Sequence, residues 1–150
     1  MTEANADEQA LAERVVAAMM AKDAFSQWLG IEVVDVQPNA STVRMTVRGD
    51  MVNGFGVCHG GVTFALADSA LAFASNTDGH VTMSIENSMT YPKAVSIGDV
   101  LTATAEQESA SKRLGFFRVT VRRSAGGGET VALFRGTVYK TDRAFFQESE

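Results

Sequence analysis

One carboxylate stands out in the most apolar stretch of this chain. Asp68 is flanked by Ala65-Leu66-Ala67 and by Ala70-Leu71-Ala72, with no lysine or arginine within one or two helical turns. An ionised carboxylate buried without a partner is costly, and its pKa shifts unless the site supports the charge. Three readings follow. Asp68 caps a helix that begins at Ser69, it points to solvent, or it is a general base or nucleophile in a partly desolvated cleft. Just upstream runs the loop Asn53-Gly54-Phe55-Gly56-Val57-Cys58-His59-Gly60-Gly61. Two glycines where a helix begins leave backbone N–H groups open at the positive end of its dipole, where they can hold a phosphate or an oxyanion. Gly54-x-Gly56 lacks the strand–helix context and third glycine of a dinucleotide fingerprint. Neighbouring side chains point apart, so Cys58-His59 reads as a small packed residue beside a structural histidine rather than as a dyad.

The elements that must position these groups follow from the hydrophobic period. Ala6 to Lys22 reads as a helix, with Leu11, Val15, Met19 and Met20 at helical spacing. Phe25, Trp28 and Leu29 make a short apolar turn ending at Gly30. Ile31–Val36 and Thr42–Val47 read as strands around the turn Pro38-Asn39-Ala40, with Val43, Met45 and Val47 alternating in the second. A second helix starts at Gly60 or Gly61 and runs to about Asn76. Four further strands are expected at about Val81–Tyr91, Val100–Glu108, Gly115–Arg123 and Thr130–Lys140, the last two joined by the hairpin turn Ala125-Gly126-Gly127-Gly128. Residues 141–150 read as a loose tail. A helix as apolar as the second must be covered on more than one side. A curved antiparallel sheet wrapped around it does this most economically, in an α+β fold. The many alanines imply close approach to that sheet or to a partner subunit.

Composition narrows the class. The 150 residues fit one domain, 1–150, and 45% are hydrophobic, enough for a core without staples. Thirteen Lys and Arg against eighteen Asp and Glu give a net charge of −5. That balance argues against a nucleic-acid partner but leaves room for a local basic patch holding a small anion. The single cysteine excludes an intrachain disulfide, and His59 and His80 have no zinc spacing, so no metal is expected. Met1–Asp7 is polar and acidic, unlike a signal peptide, and Val62–Ala74 is too short to span a bilayer and carries Asp68. A soluble cytoplasmic protein, with no membrane partner, is the expectation.

His59-Gly60-Gly61 followed by Ala67-Asp68-Ser69 in an alanine-rich helix resembles the hotdog-fold acyl-CoA thioesterases, and more narrowly their phenylacetic-acid-pathway (PaaI-type) branch. Asn53-Gly54, Tyr91-Pro92, Gly98-Asp99 and the closing Thr130-Val131-Ala132-Leu133-Phe134-Arg135-Gly136 extend the resemblance over about Gly30 to Lys140. It implies a hotdog fold and hydrolysis of acyl-CoA, with an aryl-acetyl group such as phenylacetyl or its ring-hydroxylated form. It further implies Asp68 as base or nucleophile, the Gly60 amide as oxyanion donor, Asn53 as holder of the water or carbonyl, and His59 as support for the loop. Gly61, Ser69 and Phe64 are expected at the substrate. Lys112 and Arg113 are expected on the coenzyme A phosphates, with Lys93 and Arg135 as weaker candidates. Met51, Val52 and Leu71 join Phe64 as candidates for the acyl pocket. Family members often place a hydroxyl near the carboxylate, and here Thr82, Ser84 and Ser88 all qualify. Coenzyme A belongs to the substrate, and no separate cofactor is implied.

Geometry adds a constraint. Gly60 and Asp68 are eight residues apart, about 12 Å along one helix, yet both must lie within about 3 Å of one carbonyl or its attacking water. Two chains with antiparallel helices meet that requirement where one cannot. A homo-oligomer is therefore expected, as dimers pairing into a tetramer. Two rivals remain: a hydratase or dehydratase of acyl-thioesters, which centres on a histidine, and a non-catalytic acyl-CoA-binding or sensing domain. Thioesterases for medium-chain or benzoyl-type acyl-CoA are the nearer alternatives.

Overall fold

Every strand expected from the sequence forms, and all join one sheet. The structure is a computed structural model that describes residues 2–147. Strands β1 (Glu32–Gln37), β2 (Ala40–Thr46), β3 (His80–Thr90), β4 (Val100–Ala110), β5 (Leu114–Arg123) and β6 (Thr130–Ala144) lie in the order β1-β2-β4-β5-β6-β3. All neighbours are antiparallel. Helix α3 (Gly60–Ser75) packs across one face, chiefly on β2, β4 and β5. This is the expected hotdog arrangement of a sheet around a central helix.

Alternation explains why that face is dry. Val43 and Met45 on β2, Leu101, Ala103 and Ala105 on β4, and Val119 and Val121 on β5 are all buried, in one cluster with Leu66, Ala67, Ala70, Leu71, Phe73 and Ala74 of α3. Alanines on both sides let the helix approach closely. Each large side chain buried here contributes roughly 1.5–3 kcal/mol. One stripe of α3 stays only partly covered: Gly61, Ala65, Asp68 and Ala72, at helical spacing.

Some boundaries differ from expectation. Helix α1 spans Glu3–Lys22, starting before Ala6 because Thr2 caps it by accepting from the Asn5 N–H at 3.4 Å. The expected apolar turn after it is a short helix, α2 (Ala24–Leu29), capped by Asp23 and ended by Gly30 in the left-handed region at φ 75°. The tail is not loose from residue 141. Strand β6 continues to Ala144, with the Thr141 hydroxyl donating to the Val81 carbonyl at 2.6 Å and the Phe145 N–H to the Gly79 carbonyl at 2.7 Å. Residues 148–150 of that tail lie outside the described residues.

Strand β3 is an edge strand, paired only with β6. Its register shifts between Ser84 and Glu86, leaving Ile85 as a bulge residue. Opposite, Asn87 pairs with Gly136. A Cβ at Gly136 would stand 2.5 Å from Leu71 Cδ2 and 2.8 Å from Asn87 Oδ1. Leu71 is fully buried and cannot yield. Gly136→Ala is therefore expected to destabilise the fold by about 1–3 kcal/mol, seen as a lower urea midpoint. An unchanged midpoint would show that the strand relaxes freely there.

Candidate active site

Helix α3 runs unbroken through position 68, so Asp68 is not a cap. Its carboxylate is half-buried, and Oδ1 accepts from the Asn87 side-chain amide at 3.3 Å. Desolvation raises the carboxyl above its ordinary value, the Asn87 hydrogen bond pulls it back, and the Asp23 charge pushes it further up. Asp23 comes near because it caps α2, accepting from the Ser26 N–H at 2.9 Å and the Ser26 hydroxyl at 2.6 Å. With its proton committed to Asp23, Ser26 receives the hydroxyl of Ser69, 2.8 Å away.

The start of α3 shows how its N–H groups are distributed. His59 is the N-cap, and its Nδ1 accepts from the Gly61 N–H at 2.9 Å, which places the ring proton on Nε2. The Val62 N–H goes to the His59 carbonyl at 2.9 Å. The Gly60 N–H has no such partner among the described residues and carries the open positive end of the helix. Tyr91 fixes this peptide, its hydroxyl donating to the Gly60 carbonyl at 2.8 Å. A Cβ on Gly60 would meet the Tyr91 ring at 3.3 Å.

Asn53 organises the preceding loop. Its Oδ1 accepts from the N–H of Phe55 at 2.9 Å and of Val57 at 3.4 Å, while the Cys58 N–H ties the loop to the Val95 carbonyl at 2.7 Å. Only the Asn53 side-chain NH₂ is left to face a ligand. Cys58 is buried, and desolvation pushes its thiol up, which suits a packed residue rather than a nucleophile.

Among the other residues singled out, Phe64 is half-buried on α3 between Gly60 and Asp68, edge-on to Phe134 with ring centroids 5.3 Å apart. Met51 and Leu71 lie in the core, and Val52 is half-buried beside the loop. Gly61 and Ser69 were expected at the substrate, but their polar groups serve the cap and the α2–α3 contact. Lys112 is exposed on the β4–β5 turn, whereas the Arg113 guanidinium is held by both Asp142 oxygens at 2.6 and 3.0 Å. Lys93 pairs with Glu129 at 3.5 Å and Arg135 with Glu108 at 3.7 Å. Of the three candidate hydroxyls, Ser84 connects to Asp68, donating to Asn87 Oδ1 at 2.8 Å. Thr82 is engaged by Asn76 and the His80 carbonyl, and Ser88 shares the outer face with Arg135. Asn87 and Tyr91, which hydrogen-bond Asp68 and the Gly60 carbonyl, were not singled out for the site in the sequence, although Tyr91 lies in the Tyr91-Pro92 motif.

The model of the thioesterase superfamily matches residues 55–130, from the loop tip through the last hairpin. The chain belongs to the thioesterase superfamily. It is similar to the acyl-coenzyme A thioesterase PaaI of Escherichia coli, 35% identical over 123 residues that cover 82% of this chain and 86% of that one. It is also similar to an Archaeoglobus fulgidus protein described as a putative esterase, 34% identical over 135 residues, covering 90% and 86%. The solved E. coli PaaI structure superposes with a TM-score of 0.87 at 32% identity, covering 91% of this chain and 97% of that one. The PaaI-type resemblance read from the motifs is thus borne out, and this thioesterase is a thioester hydrolase.

A raised carboxyl pKa has a stability consequence. The folded state binds the Asp68 proton more tightly than the unfolded chain does, so stability falls as pH rises through the window between the two pKa values. Asp68→Asn is expected to be more stable than the parent near neutral pH, with the gap closing in acid. Urea midpoints at several pH values measure this. A variant less stable at every pH would show that the charge is well solvated.

Proposed function

We propose that this thioesterase hydrolyses acyl-CoA, with aryl-acetyl-CoA (phenylacetyl-CoA or a ring-hydroxylated form) as its substrate class, at sites shared between two subunits. Asp68 is the general base. It takes a proton from water as the water oxygen bonds to the thioester carbonyl carbon, and the Gly60 N–H holds the resulting oxyanion. Collapse breaks the C–S bond, and the proton on Asp68 passes to the departing thiolate. Free acid and coenzyme A leave, and no separate cofactor enters the balance. His59 and Tyr91 keep the Gly60 peptide aimed, Asn53 shapes the loop and offers its NH₂ to the water or carbonyl, and Phe64 faces the acyl group.

The half-buried Asp68, with no cation against it among the described residues, is the observation that carries this reading. A pure binding module gains nothing from such a group, whereas a base gains strength from it. The shared site is supported by helix geometry, because one chain holds Gly60 and Asp68 about 12 Å apart. The uncovered stripe of α3 and the unpaired edge of β3, with Met83 and Ile85 exposed, suit a second copy. So does Phe55 at the loop tip, 93% exposed. Lys112 lies toward the C-terminal end of α3, beside a small cavity lined by Ser75, Asp78 and Ser111. Antiparallel helices bring that end beside the other subunit's Gly60, where Lys112 serves the coenzyme A phosphates. The aryl-acetyl preference is supported by the relatives, one being the phenylacetic acid degradation protein PaaI of Thermus thermophilus, solved as a point mutant (37% identical, covering 78% of this chain and 98% of that one, TM-score 0.74), and by the Phe64–Phe134 pair.

Thiol release from phenylacetyl-CoA tests the reading. The parent is expected to turn over with an acid limb above the ordinary aspartate range, and Asp68→Asn to lose about 10²–10⁴-fold in kcat while staying folded. No turnover of phenylacetyl, hydroxyphenylacetyl, benzoyl or medium-chain CoA, with retained binding, would identify a sensing domain instead.

A further inference from the structure

We propose that Asn87 is a positioning residue that holds Oδ1 of Asp68 and so presents Oδ2 to the attacking water, a role that rests on the thioesterase reading above. Four features of the structure carry it. First, the bulge at Ile85 turns both Ser84 and Asn87 to the inner face of β3, opposite Val138 and Gly136. Residues three apart in a regular strand would face opposite ways. Second, Gly136 leaves the space that the Asn87 side chain fills, since a Cβ there would stand 2.8 Å from Asn87 Oδ1.

Third, the amide orientation is determined. The Ser84 hydroxyl donates to Asn87 Oδ1 at 2.8 Å, so the NH₂ end faces Asp68, 3.3 Å from its Oδ1. A flipped amide would set its oxygen against the Asp68 carboxylate, acceptor facing acceptor, and lose that hydrogen bond. Fourth, no cation among the described residues shares the task. The charge that reaches Asp68 from the neighbouring elements is Asp23 on the α2 cap. Glu86 and the Arg135 opposite Ser88 belong to the outer face of the sheet. A lysine or arginine at position 87 would stabilise the carboxylate more strongly and make it a poorer base. A neutral donor orients the charge and keeps it ionised while sparing its basicity.

The test combines kinetics with a direct titration. The pH profile of kcat on phenylacetyl-CoA is recorded for the parent, Asn87→Ala, Asn87→Leu and Ser84→Ala. The Asp68 carboxyl is followed by ¹³C NMR and assigned by its loss in Asp68→Asn. Removing the Asn87 amide is expected to move both the acid limb and the NMR titration up by about one pH unit and to lower kcat about tenfold, with KM little changed. Ser84→Ala should shift both in the same direction by less. Asn87→Leu keeps the volume should the alanine variant fail to fold. A folded variant at position 87 with an unmoved Asp68 titration overturns the proposal. If the parent hydrolyses no acyl-CoA, the thioesterase reading fails, and the NMR titration alone still decides whether Asn87 controls Asp68.

Discussion

An ionisable carboxylate sits midway along an apolar helix, with a neutral amide for its partner and another carboxylate, Asp23, as the charge that acts on it. Much of the surrounding structure can be understood as what it takes to keep Asp68 there. The sheet supplies burial through β2, β4 and β5, and the stability that offsets the strain of a half-desolvated charge comes from the same packed side chains. Helix α2 closes one flank through the Asp23–Ser26–Ser69 chain. The bulged edge strand β3 closes the other with Asn87.

The helix start has complementary chemistry and a different arrangement of donors. His59 takes the Gly61 N–H, the His59 carbonyl takes the Val62 N–H, and Tyr91 grips the Gly60 carbonyl. One donor, Gly60 N–H, is left at the positive end of α3. A rigid donor paired with a basic carboxylate is the minimum that thioester hydrolysis demands. Helix geometry keeps these two groups about 12 Å apart in one chain, which is why the proposed mechanism draws on a second subunit.

The candidate reacting groups were more legible in the sequence than their supports. Asp68 announced itself because its neighbours along the chain are nearly all apolar, and the Gly60-Gly61 pair because helix starts have a local signature. Strand-like runs bounded by turns were enough to find all six strands and hence the sheet. What they could not give depends on pairing across the fold. The bulge at Ile85 exists only through the register of β3 on β6; in a regular strand Ser84 and Asn87 would face opposite ways. Tyr91 reaches Gly60 across thirty-one residues, and no local pattern encodes that. Arg113 is expected on the coenzyme A phosphates, and its pairing with Asp142 on β6 is a contact across the fold that no local pattern encodes. Gly61 and Ser69 lie beside the reacting groups in sequence, but capping and helix packing take their polar atoms.

The claim that most needs testing is that each site draws Gly60 from one chain and Asp68 from the other. Gly60→Pro deletes the donor while keeping a residue suited to the first helical position, and Asp68→Asn deletes the base. Each variant alone should be inactive on phenylacetyl-CoA. After unfolding, random mixing and refolding together, the shared-site account predicts recovery of about a quarter of parental activity, because half of the dimers are mixed and each carries one intact site. Mixed dimers that form yet stay inactive would contradict it.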